Sequence, residues 1–307
     1  MKTVNINGTD LRASNIIMGC MRIHSLSLSE IDQLVKTALD QGVNFFDHAD
    51  IYGNGACETL FSQAIGMNSR IREQMIIQSK CGIRSRKNYY DVSKEYILES
   101  VDGILQRLQT DYLDVLLLHR PDALMEPEEV AEAFEILRST GKVRYFGVSN
   151  FHSMQIELLK KYVSYPLAIN QLQYSVAHTP IIDEGVAVNM LTDQAIDRTG
   201  HILDYCRLNN ITIQAWSPFQ KGFFDGPFFQ DPEYTELNIA LSKYGEPYGL
   251  DITGSAVAWI ARHPANIQTI LGTTKPERLI AACKGSDTPM TRQEWYGIYK
   301  AAGNRIP

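Results

Sequence analysis

Four side chains of different chemistry each lie at or just past the end of a short apolar run. Asp47 ends Asn44-Phe45-Phe46-Asp47, and Tyr52 follows in the segment His48-Ala49-Asp50-Ile51-Tyr52-Gly53. Lys80 ends Ile76-Ile77-Gln78-Ser79-Lys80, and His119 ends Val115-Leu116-Leu117-Leu118-His119. A lysine beside a carboxylate makes an ion pair that, once partly buried, tolerates loss of neither partner. The same ammonium beside a phenol favours the phenolate, so Lys80 is expected to lower the Tyr52 pKa from its reference near 10. A phenol tuned in this way gives a proton to a developing alkoxide and takes one back in the reverse direction. A neutral His119 would bond the same oxygen and orient the substrate. No nucleophile stands with its own base, so the group suits proton transfer to a carbonyl oxygen, with hydride coming from a cofactor.

A second set of residues suits a nicotinamide dinucleotide. Ser149, Asn150 and Gln171 offer hydrogen bonds to a carboxamide, and Trp216, with Ser217 and Phe219 just beyond it, offers a ring to stack on. Gly272-Thr273-Thr274-Lys275-Pro276-Glu277-Arg278 reads as a helix N-terminus, where the small residues Gly272 and Thr273 let backbone approach a phosphate. Arg278 adds a guanidinium fork suited to a 2′-phosphate, which favours NADPH over NADH.

Each residue also has a plainer reading. Asp47 or Lys80 alone is more often a surface ion pair, His119 a core histidine and Tyr52 a loop aromatic. Ser149-Asn150 can cap the following helix, and Trp216 can simply pack. His48, Asp50 and Arg120 read as structural or substrate-adjacent. Position tips the balance, because the candidates fall on the C-terminal ends of successive strand-like runs.

Those runs set the fold expectation. Strands are expected over 16–19, 43–47, 75–80, 113–119, 143–148, 168–172, 211–216 and 267–272, with helical patterns between them, among them 29–41, 93–108 and 127–140. Ser29 is the expected cap of the first helix, and Pro127 and Gly141 bracket the third. Strand–helix alternation means βαβ units and a parallel sheet. Near-continuous apolar strands such as Val115-Leu116-Leu117-Leu118 are those of a sheet covered on both faces. Eight such units close into a (β/α)8 barrel, whose active sites form where the strand C-termini converge. A doubly wound open sheet is the alternative, but no Gly-x-Gly-x-x-Gly follows the first strand. Before the barrel, 3–6 and 9–12 flank Asn7-Gly8 as a hairpin. Long connections at 176–189 and 221–247 break the rhythm, and nothing in composition marks a linker, so one domain over 1–307 is expected.

Composition narrows the partners. The chain has 307 residues, 44% hydrophobic and 21% charged, with a net charge of −6. Mild acidity argues against nucleic acid or an anionic membrane. Cys20, Cys57, Cys81, Cys206 and Cys283 contain no Cys-x-x-Cys pair, so neither a disulfide framework nor a zinc site is indicated. No apolar leader or membrane-length run appears. A cytoplasmic, reduced monomer acting on a small-molecule carbonyl substrate, without a metal, is expected.

The motifs together resemble the aldo-keto reductases over nearly the whole chain. The resemblance is carried by Asn44-Phe45-Phe46-Asp47-His48-Ala49-Asp50-Ile51-Tyr52-Gly53, Gln78-Ser79-Lys80-Cys81-Gly82, Leu116-Leu117-Leu118-His119-Arg120-Pro121-Asp122, the run from Gly141-Lys142-Val143 to Ser149-Asn150, and Asn170-Gln171. It implies an NADPH-dependent carbonyl reductase with the tetrad Asp47, Tyr52, Lys80 and His119, Tyr52 being the acid. It also implies that the opening hairpin plugs the barrel bottom, and it points to the bacterial oxidoreductase branch. Gly272 stands where many relatives carry a basic residue, and Ala281 and Ala282 where they often place polar contacts. Two other functions compete. A metal-dependent barrel hydrolase would use Asp47-His48-Ala49-Asp50 with His119, although Asp47 and His48 should point to opposite faces of a strand. A regulatory barrel would bind NADPH without turnover.

Overall fold

The computed structural model describes residues 1–306. The chain opens with β1 (Thr3–Asn5) and β2 (Arg12–Ser14), antiparallel and paired Thr3 to Ser14. Then follow β3 (Ile16–Gly19), β4 (Phe45–Asp47) and β5 (Ile76–Cys81). A small antiparallel pair, β6 (Ile83–Arg84) and β7 (Tyr89–Tyr90), comes next. β8 (Leu113–Leu118), β9 (Val143–Ser149), β10 (Leu167–Gln173), β11 (Thr212–Trp216) and β12 (Gln268–Leu271) complete the set. β3, β4, β5 and β8 to β12 form a closed parallel barrel in chain order, with β12 pairing back onto β3.

Helices lie between these strands. They are α1 (Leu28–Asp40), α2 (Ala56–Ile65), α3 (Ser69–Arg72), α4 (Lys94–Leu108), α5 (Pro127–Ser139) and α6 (Ser153–Lys160). α7 (Pro180–Val186) and α8 (Ile202–Leu208) join β10 to β11, and α9 (Thr235–Gly245) and α10 (Ile252–Ala261) join β11 to β12. α11 (Pro276–Asp287) and α12 (Arg292–Ala301) close the chain. α4 shows why they form: Ser93 accepts the Tyr96 N–H at its start, and Ile97, Val101, Ile104, Leu105 and Leu108 make one buried stripe. No helix among the described residues is long and apolar enough to cross a membrane.

Two apolar layers hold the frame. The larger lies between the strands and the helices, and the smaller fills the barrel with Ile17, Phe45, Val115, Leu117, Ile169 and Ile270. Ile6, Leu11 and Ala13 from the opening hairpin belong to that inner cluster, so the hairpin plugs the barrel. Burying a Leu, Ile or Phe side chain contributes about 1.5–3 kcal/mol, so a charge at Leu117 would undo the inner layer.

Three details correct the sequence reading. The hairpin turn is wider than Asn7-Gly8: the last pair is Asn5 with Arg12, because Thr9 takes the Ile6 carbonyl with its N–H and the Leu11 N–H with its Oγ1, leaving the Ile6 N–H to the Leu11 carbonyl as the last bond across. α1 is capped by Ser27, in a reciprocal box with Glu30, not by Ser29. The connections at 176–189 and 221–247 carry α7 and α9, and α9 buries Leu237, Leu241 and Tyr244 at helical spacing.

Candidate active site

Because successive strand residues face opposite ways, β5 sends Gln78 and Lys80 into the barrel and Ser79 toward the helices. Lys80 is fully buried and its Nζ makes three bonds, to Asp47 Oδ2 at 2.7 Å, the His48 carbonyl at 2.8 Å and Tyr52 Oη at 3.1 Å. An ammonium has three protons and no lone pair, so all its donors are used and Tyr52 Oη is an acceptor there. The tyrosine's own proton has no acceptor among the described residues and is free for another partner. Tyr52 is set by a tight turn in which Gly53 and Gly55 both take positive φ (57° and 89°), backbone that side-chain-bearing residues rarely adopt. His119 stands edge-on to the Tyr52 ring, centroids 6.0 Å apart, and its Nδ1 is buried without a partner.

The electrostatics differ in one respect from expectation. Lys80 does pull the Tyr52 pKa down, but burial around the hydroxyl is the larger influence and leaves the phenol above its ordinary value. Burial opposes charge on Lys80, yet Asp47 and Tyr52 together hold its pKa above the usual lysine range. His119 is pushed well below the histidine range by burial, then by Lys80 and Arg120, and is neutral at pH 7.

Beneath this group runs a column of four amides, of which the sequence reading gave a role to Gln171 alone. Asp47 Oδ1 accepts from Gln78 Nε2 at 2.6 Å and from Gln171 Nε2 at 3.0 Å. Both nitrogens also donate to Gln214 Oε1, at 2.9 and 3.1 Å. Gln214 Nε2 donates to Gln268 Oε1 at 3.1 Å, and Gln268 Nε2 to the Ser14 carbonyl at 2.8 Å. The signal was a glutamine inside each of four apolar strands, all of them buried.

The residues expected around a nicotinamide form one network. Ser149 Oγ donates to the Gln171 carbonyl at 3.0 Å and accepts from Asn150 Nδ2 at 2.8 Å, while Asn150 Oδ1 accepts the Trp216 indole N–H at 3.0 Å. Asn150 and Ser217 sit at positive φ (61° and 51°), where the chain turns off the strand ends. Phe219 packs against Phe229 in the loop beyond, ring centroids 5.2 Å apart and planes tilted by 38°. Gly272, Thr273 and Arg278 lie apart from these, at the start of α11. Arg22 Nη1 bonds the Gly272 carbonyl at 3.2 Å, Thr273 Oγ1 accepts the Lys275 N–H at 3.1 Å, and Arg278 is exposed. No side chain caps the α11 N-terminus; Pro276 has no N–H and the Arg278 and Leu279 N–H groups bond the Lys275 carbonyl, which leaves the Glu277 N–H as the free backbone donor of the first turn.

Outside the barrel the same strand ends build a different cluster. His48 is fully buried against Phe61 with neither ring nitrogen bonded, and burial lowers its pKa to about 3. Glu58 accepts from Ser79 Oγ at 2.8 Å and Arg107 Nε at 2.7 Å. A cleft of about 570 Å³ opens here, lined by Asp50, Arg84, Tyr96 and Arg107, on the far side of the strands from Lys80. Among the described residues, the His and acid side chains close enough to share an ion are Glu184, Asp197 and His201, near α7 and α8. That group includes none of Asp47, His48, Asp50 and His119. The five cysteines are buried and free.

A closed parallel barrel carrying its reactive side chains at the strand C-termini is the frame of the barrel enzymes. The chain belongs to the aldo/keto reductase family, whose model matches residues 15–302, and it is an oxidoreductase. It is 37% identical to the Bacillus subtilis (strain 168) oxidoreductase YcsN, across 97% of both chains. It is 32% identical to a 6-dehydroglucose reductase of Agrobacterium fabrum, across 95% of both. In fold it is similar to the thermostable aldo-keto reductase Tm1743, solved with the inhibitor epalrestat, with a TM-score of 0.78 and 23% identity over 98% of this chain and all of that one.

Proposed function

We propose that the chain, read as one barrel domain, reduces aldehyde or ketone carbonyls with NADPH and that Tyr52 is the general acid. The observation that carries this is the three-bonded Lys80, whose protons are all committed while the Tyr52 proton is not. NADPH, when bound, supplies the hydride. Tyr52 gives its proton to the carbonyl oxygen as negative charge grows there, and Lys80, already donating to Tyr52 Oη, stabilises the phenolate left behind. Asp47 keeps Lys80 charged and aimed, and neutral His119 orients the carbonyl by a hydrogen bond. A phenol above its usual pKa stays protonated through neutral pH, as an acid must.

The cofactor assignment follows the donor sets. Gln171, whose nitrogen is taken by Asp47 and Gln214, keeps its oxygen for the carboxamide, beside Ser149 and Asn150. Trp216, Ser217 and Phe219 would line the nicotinamide end, while Gly272, Thr273 and the α11 N-terminus receive phosphate and Arg278 the 2′-phosphate. Asp47 has both oxygens engaged and His48 faces the helices, which disfavours a metal-dependent hydrolase. Turnover separates a reductase from a regulatory barrel.

The test follows NADPH oxidation across aldehydes, ketones and dicarbonyls with the wild type and Tyr52→Phe. Reduction should fall by about 10²–10⁴ in the variant while NADPH still quenches Trp216 emission. Wild-type-like turnover by Tyr52→Phe would remove the acid assignment. Arg278→Ala should weaken NADPH more than NADH, and equal weakening would refute 2′-phosphate recognition.

A further inference from the structure

Arg120 directly follows His119 at the end of β8, and its guanidinium carbon lies 5.7 Å from the Trp216 ring centroid and 5.4 Å from that of Phe223. It is unlike the other arginines that are not fully exposed. Arg72, Arg84, Arg107 and Arg144 each hold a carboxylate, and Arg262 bonds the Met290 carbonyl. Arg120 has neither a carboxylate nor a hydrogen-bond acceptor among the described residues. The ionisable groups that face it are His119 and the phenols of Tyr52 and Tyr90.

A half-buried guanidinium lying against aromatic rings has its faces occupied and its N–H edge unsatisfied. Leaving such donors without a partner is unfavourable, and a carboxylate is the planar acceptor that matches their fork. Lys80 cannot supply this interaction, since its three protons are committed. Phosphate is the poorer match, because a dianion draws more than one cation and Arg120 has no second one beside it. Phe223 and Phe224, 60% and 58% exposed, pack on Trp216 and offer an apolar wall next to the cation.

Resting on the carbonyl-reductase reading, we propose that the substrate is an oxo acid, its carbonyl at Tyr52 and His119 and its carboxylate forked by Arg120. The apolar body between the two groups lies along Trp216 and Phe223. Arg120 is thereby a specificity-determining residue, outside the proton transfer itself.

The experiment compares 4-carboxybenzaldehyde with methyl 4-formylbenzoate, which differ in the charge at the far end, with NADPH as reductant. In the wild type, kcat/KM should favour the acid by at least about tenfold, through KM. In Arg120→Gln the acid-to-ester ratio should fall to about one, and Arg120→Lys should recover part of it. Glyceraldehyde 3-phosphate against glyceraldehyde forms the phosphate arm, and a larger preference there would overturn the carboxylate assignment. Equal use of acid and ester by the wild type, or a preference that survives in Arg120→Gln with its circular dichroism unchanged, would overturn the proposal while leaving the reductase reading intact. If no carbonyl is reduced at all, that reading fails first. Calorimetric titration with 4-(hydroxymethyl)benzoate then decides the Arg120 site: binding that Arg120→Gln abolishes supports it, and absence of binding by the wild type sinks it.

Discussion

The two faces of β4 and β5 handle buried polar groups in opposite ways. Inside the barrel, Asp47 and Lys80 face each other with every Lys80 proton paired and both Asp47 oxygens engaged. Outside, His48 has no partner, Asp50 keeps one buried oxygen unpaired, and burial pushes the Asp50 pKa to about 7. One residue of register separates these environments, since neighbours on a strand alternate faces. The interior holds a charged pair where a substrate's developing charge can use it. The exterior suppresses charge on His48 and Asp50, while the Glu58–Arg107 pair there ties α2 to α4.

Substitutions on either side sharpen that contrast. The largest effect should come from Lys80→Met, which removes the donor to Tyr52 and strands Asp47: kcat should fall by about 10²–10⁴. A loss under tenfold in a folded variant would mean that the interior pair is structural, like the exterior one. Glu58→Ala should act on stability, lowering it by about 2–3 kcal/mol in urea unfolding, with kcat within about threefold of wild type. A collapse of kcat at unchanged stability would place the exterior cluster in the chemistry.

The smallest effect depends on pH. Asp50 binds its proton more tightly folded, with a pKa of about 7, than unfolded, near 3.9. Its contribution to stability is therefore full below pH about 4 and is lost as pH rises toward 7. Asp50→Asn should melt above wild type at pH 8, by on the order of a few degrees, and no higher at pH 4. A difference independent of pH would show that the carboxyl is ionised throughout. Reduction, in contrast, should hold its rate as pH rises until Tyr52 ionises, above the usual range for tyrosine, and a fall near pH 7 would contradict a protonated phenol.

Much of this was legible in the sequence because strand order and alternation are local signals. The eight apolar runs marked the barrel strands, and Asp47, Lys80 and His119 lay at or beside their ends. What escaped depended on three-dimensional context. Gln214 and Gln268 look like polar interruptions until closure brings their strands beside β10 and β3. α9 was hidden because Phe223, Phe224, Phe228 and Phe229 just before it dominate the 221–247 stretch. The direction of the Tyr52 shift was misjudged because the pull of Lys80 is visible in residue types, whereas the depth of burial is not.

The amide column also fixes its own orientation. Both of its ends, the Ser14 carbonyl and the Asp47 carboxylate, are acceptors only. Gln268 must therefore present nitrogen downward, which dictates how Gln214 faces and leaves Gln78 and Gln171 donating toward both ends. Rotating any one amide by half a turn would set like against like along the line. The aim of the carboxylate at the rim is thus keyed to the backbone at the barrel floor, and the opening hairpin that supplies Ser14 serves as the datum from which the site is levelled.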